Sequence, residues 1–162
     1  MTVTEVAGTP VTDRSAYLEL IRELARSDAE AYRQRCAELD EQGWSELGLV
    51  VGAGFFLAAR RRLATFSDQA AIIQFVADTR VALVGTVGDL DPKVAERLIE
   101  SATTGDISAV EQLDPNLVIE VEMLLLWGLL RPLSDDELSR FLSDVGSLSH
   151  QWAADAPTGG VR

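Results

Sequence analysis

Gly52-Ala53-Gly54, between Val50-Val51 and Phe55-Phe56, has the small-residue spacing of a turn whose backbone amides could cradle a pyrophosphate. That chemistry needs a third small residue, so that the helix can pack close to the strand, and an acidic residue at the end of the next strand. Leu57 stands at the third position, and the acidic residue downstream belongs to Ser67-Asp68, a new helix start. No cofactor is expected here. The run from Leu47 to Ala59 is apolar but too short for a bilayer, which needs ~20 such residues. A helix buried in the protein core accounts for it. Gly48 and Gly52, four apart, then lie on one side of that helix and would admit a close neighbour, another helix in the first instance and a ligand in the second.

Arg60, Arg61 and Arg62 come directly after this run. Three cations at a helix C-terminus complement its dipole. They are also the only basic cluster in an acidic chain, which makes them the first place to look for a carboxylate or phosphate contact.

Other reactive side chains are sparse. There is one histidine, His150, in a C-terminal apolar stripe, and one cysteine, Cys36. Neither the usual zinc sites nor Cys-His or Ser-His-Asp triads can be assembled from these, so no metal ligands and no catalytic residues are assigned. A di-iron Glu-x-x-His pair is absent, and Asp89-Leu90-Asp91-Pro92 lacks the glycine and terminal glutamate of a calcium loop.

The elements that must position these residues read as helices. Ser27-Asp28-Ala29-Glu30 and Ser134-Asp135-Asp136-Glu137 have the form of capping boxes, the second flanked by Leu133 and Leu138 at the positions of a hydrophobic staple. Asp91-Pro92 and Asp114-Pro115 place a cap residue before a proline at the first helical position. Apolar stripes agree: Ala29, Tyr32, Cys36 and Leu39; Val94, Leu98, Ile99 and Ala102; and Leu138, Phe141, Leu142, Val145, Leu148 and Trp152. Gly43, Gly105 and Pro132 supply stops.

The fold expected is therefore all-α, a single-domain bundle of about seven helices near 13–26, 28–41, 46–65, 68–84, 92–103, 115–131 and 135–154, with a short helical turn at 107–112. The domain spans 12–155, between flexible tails at 1–11 and 156–162. The alternative is an α/β fold with a small sheet from 80–85 and 117–123, because Val118-Ile119-Glu120-Val121 alternates like a strand and Arg80-Val81-Ala82-Leu83-Val84 could pair with it.

Across 162 residues, 26 Asp and Glu face 14 Lys and Arg, a formal charge of −12. Such a balance excludes phosphate-neutralising nucleic-acid binding and repels an anionic membrane surface. Lys93 is the only lysine, a bias toward arginine that points to a GC-rich bacterial genome. A single cysteine and an N-terminus without charged and apolar leader regions suggest the cytoplasm.

The helix at 115–131 is apolar almost all round, so it is either central or covered by a second chain. In the second case Met123, Trp127 and Leu130 would form the interface. The first functional expectation is accordingly a non-enzymatic helical interaction or regulatory protein, bound to a protein partner or to itself. A binder of a small apolar or amphipathic ligand between helices, with an Arg of the 60–62 cluster at the mouth, is the second. A carboxylate-based helical enzyme without a metal signature is the third.

Overall fold

The structure, a computed structural model, describes residues 14–63, 69–84, 89–108 and 110–155. The two expected tails, the end of the third helix beyond 63 and the Ser67-Asp68 start lie outside these residues. Among the described residues seven helices run in order: α1 Ser15–Ala25, α2 Ala29–Gln42, α3 Leu47–Leu63, α4 Gln69–Ala82, α5 Pro92–Thr104, α6 Pro115–Leu130 and α7 Asp135–Asp155. Among the described residues there is no strand, which overturns the mixed α/β alternative. Val118–Met123 lies inside α6, where Asp114 and Pro115 start a helix that the following leucines continue, and Arg80–Val84 forms the last turn of α4 and its exit. Within the turn expected at 107–112 the amides of Val110 and Glu111 both donate to the Ile107 carbonyl, and residue 109 lies outside the described residues.

The four helix starts divide. Asp91 and Asp114 cap α5 and α6 as their Asp-Pro pairs require, and the box at Ser134 closes in both directions: the Ser134 amide donates to Glu137 Oε1 at 2.8 Å and the Glu137 amide to Ser134 Oγ at 3.1 Å. Ser27 does not cap α2. It sits at φ 55°, with its amide donating to Leu24 O and the Asp28 amide to Glu23 O. That pair of bonds is a Schellman motif closing α1, and a residue held left-handed at one helix end cannot also serve as the extended cap of the next. Asp28 takes over, accepting from the Ala31 amide at 3.1 Å.

α3 and α6 share the most extensive helix contact, and α3 also packs on α1, α5 and α7. A Cβ at Gly48 would meet Ile119, and one at Gly54 would meet Leu126, so the two helices advance in the same direction along their contact. Val50, Val51, Ala53 and Ala59 of α3 and Leu125 and Leu126 of α6 have no accessible surface. The apolar run of α3 is thus the middle of the core.

The glycines do different work from the one their spacing suggests. A Cβ on Gly52 would have nothing within 4 Å, and on Gly48 only ordinary contact with Ile119 Cδ1 at 3.4 Å, so neither is needed for close helix approach. The close approach is at Gly128, where a Cβ would stand 2.9 Å from Thr79 Oγ1 and 3.0 Å from Thr79 Cγ2. Thr79 is buried and its hydroxyl donates to the Phe75 carbonyl, so this branched side chain cannot swing aside. Opposite outcomes are expected in urea unfolding at fixed protein concentration. Gly52→Ala stabilises the fold by up to ~1 kcal/mol through helix propensity, whereas Gly128→Ala destabilises it by ~1–3 kcal/mol through overpacking, relieved when Thr79→Ala is added.

Candidate functional site

α6 is enclosed by α3, α1, α5 and α4. Leu130 is buried, and Met123 and Trp127 are half-buried against the core. The Trp127 indole N–H donates to Ser27 Oγ at 3.0 Å, and the Arg131 guanidinium covers its ring at 4.6 Å from the centroid. An all-round apolar helix here means a central one.

Enclosure also explains Glu122. It shares the core side of α6 with Leu125, Leu126 and Leu129, all buried, and forms no hydrogen bond or ion pair among the described residues. Burial pushes its carboxyl up to about 7.

Apolar surface is exposed elsewhere. Four large hydrophobic residues stand open among those described: Ile73 at 47%, Val81 at 72%, Val84 at 80% and Ile107 at 55%. The first three belong to α4 and its closing turn. α4 carries two apolar stripes: Ile72, Val76, Thr79 and Leu83 turn inward and are buried, while Ala70, Ile73, Ala77 and Val81 are exposed on the opposite side within about 80° of the helix circumference. Val84 continues the outer stripe, and Arg80 flanks it without an ion pair among the described residues. A helix apolar on two faces with one of them uncovered is unusual for an isolated chain.

The three arginines at the end of α3 diverge. Arg60 lies over the Phe56 ring at 5.0 Å, and Phe56 meets Trp152 edge-on at 5.6 Å. Arg61 pairs with Asp144 at 2.8 Å and lies 5.9 Å from the Phe141 ring centroid. Arg62 donates to the Leu129 carbonyl at 3.3 Å, satisfying one of the last acceptors of α6. Arg61 and Arg62 line a pocket of about 410 Å³ bounded by the ends of α3 and α6 and the first turns of α7. Its floor includes Ala58, Leu129, Leu133 and Phe141, and its rim adds Glu137, Arg140 and Asp144. Arg60, Gly48 and Gly52 are not part of it. No sequence signal joined Arg61 to Arg140 and Asp144, because the contact depends on the crossing of α3 and α7.

Comparison with known protein families, with curated proteins and with solved structures finds no match to this chain. Its function has to be read from the two surfaces themselves. Among the described residues no group of three or more His, Cys, Asp or Glu side chains could hold a metal ion, and no helix is long and apolar enough to cross a membrane. Cys36 is half-buried, and burial together with the Asp40 and Glu23 carboxylates raises its thiol pKa, which disfavours the reactive thiolate.

Proposed function

We propose that the protein is a helical interaction module that self-associates through the outer face of α4. The observation carrying this reading is that three of the four exposed large hydrophobics, Ile73, Val81 and Val84, share that one stripe. Scattered apolar residues are ordinary on a protein surface, but a continuous row along a helix is the pattern of a covered face.

A second copy of the chain suits the stripe better than an unlike partner does. Ala70, Ile73, Ala77 and Val81 follow one another at three- and four-residue steps, which keeps them on one side of the helix where a facing helix can lie. Alanine at two of these positions lets two backbones approach, and a two-fold axis across the stripe pairs each patch with itself. The stripe carries no carboxylate, so copies that repel through their net charge of −12 meet where that charge is least. Each exposed valine or isoleucine that becomes fully covered contributes up to ~1.5–3 kcal/mol.

Concentration-dependent light scattering after size exclusion tests the reading. A mass rising from one chain toward two supports it. A single-chain mass at every concentration, with a heterologous protein protecting α4, would point to an unlike partner instead.

A further inference from the structure

The pocket between α3, α6 and α7 is independent of the α4 face, and its charge arrangement is specific. Arg61, Arg62 and Arg140 face Glu137 and Asp144 around an apolar floor. Both carboxylates are already engaged. Asp144 is paired with Arg61, and Glu137 accepts from the Ser134 amide in the capping box. Arg62 gives one N–H to a backbone carbonyl, and Arg140 makes no hydrogen bond or close ion pair among the described residues, its one electrostatic partner being the Glu137 carboxylate a turn away. A guanidinium carries five N–H donors, so both retain most of their capacity for a planar anionic group. In a chain with a net charge of −12 this rim carries one positive charge in excess. Beneath it, half-buried Leu133 offers apolar surface beside the narrow accessible edge of Phe141, and the volume of about 410 Å³ falls in the range of small-molecule sites.

We propose that this pocket binds an amphipathic monoanion, a carboxylate on a short apolar body, with its head group taken by Arg62 and Arg140 and its body on Leu133 and Phe141. A single excess positive charge matches one carboxylate. The apolar floor gives no partner to the second half of a fully polar anion, and the cationic rim rejects an amine. Since α4 contributes nothing to the pocket lining, binding is unaffected by whether the α4 faces pair.

The test is a titration of the isotope-labelled full chain with octanoate, read from amide chemical shifts, with octylamine and inorganic phosphate as parallel probes at equal ionic strength. The expected result is saturable shifts around Ala58, Leu129, Leu133 and Phe141 with octanoate, weaker ones with phosphate and none with octylamine. Arg140→Gln, which breaks no hydrogen bond among the described residues, is expected to weaken octanoate binding at least ~10-fold, as loss of a charge-assisted bond would. Val81→Asp is expected to leave it unchanged, so that the pocket and the α4 face fail or stand separately. Absence of saturable octanoate shifts, equal binding of octanoate and octylamine, equal binding of octanoate and phosphate, or an affinity unchanged in both Arg140→Gln and Arg62→Gln would each overturn the proposal.

Discussion

Val81→Asp is expected to leave a folded chain whose melting temperature no longer depends on protein concentration. The wild-type chain is expected to melt higher as concentration rises, because association binds the folded state and not the unfolded one. Val81 is 72% exposed, so in the single chain the new carboxylate meets water and the stability change stays within about 0.5 kcal/mol. In a two-fold seam the same substitution places two carboxylates against apolar side chains, an arrangement that costs several kcal/mol when unpaired. The dissociation constant should therefore rise at least ~100-fold, since each 1.4 kcal/mol is about a factor of ten. Ile107→Asp is the matching control. Ile107 is as open as the stripe residues but lies in the loop between α5 and α6, so its replacement should leave association intact.

The second large effect concerns Glu122 and pH. Its carboxyl is raised from 4.5 to about 7 by burial, so the folded chain holds that proton more tightly than the unfolded chain does. Below pH ~4.5 both states are protonated and the side chain sets no pH slope. As pH rises toward 7 the unfolded state ionises first, and stability falls; above 7 both are ionised and the full penalty is present. One pKa unit corresponds to about 1.4 kcal/mol, so the penalty is on the order of 3 kcal/mol, somewhat less where solvent reaches the carboxylate. Glu122→Leu is therefore expected to gain stability over the wild type on going from pH 4.5 to pH 7 and to hold that gain, about 2–3 kcal/mol, at pH 8. The informative quantity is the difference between the two proteins in urea unfolding, because the many other carboxylates act equally on both. Parallel curves across pH 5–8 would show that Glu122 is solvated in the folded chain.

Much of the fold was legible because it rests on local chemistry. Asp91-Pro92, Asp114-Pro115 and the Ser134–Glu137 box each start a helix by satisfying orphan amides within a few residues, and those signals need no tertiary knowledge. Ser27 failed for a reason of the same scale: two helix ends compete for adjacent residues, and the Schellman closure of α1 prevailed. The central placement of α3 and α6 was also readable, since a helix with no polar face has nowhere else to go.

What escaped was anything set by which face meets which neighbour. Gly52 and Gly128 look alike in sequence, but only Gly128 lies against a buried branched residue of another helix. Met123, Trp127 and Leu130 had the composition of an interface, yet Leu130 is buried in the core and Met123 and Trp127 are half-buried against it. The stripe that is exposed lay partly in Arg80–Val84, a run whose β-branched residues suggested a strand. Helical spacing backward from Val84 through Val81, Ala77 and Ile73 was the signal present in the residues. It could not by itself tell the covered face of α4 from the open one, because both are apolar.

Sedimentation velocity on the wild type and Val81→Asp over a range of concentrations tests self-association through α4 most directly. The wild type should move from the 17.6 kDa chain toward twice that mass as concentration rises, and Val81→Asp should remain a single folded chain throughout. A wild type that stays at one chain mass at the highest concentration, or a dimer that survives Val81→Asp unchanged, would contradict it.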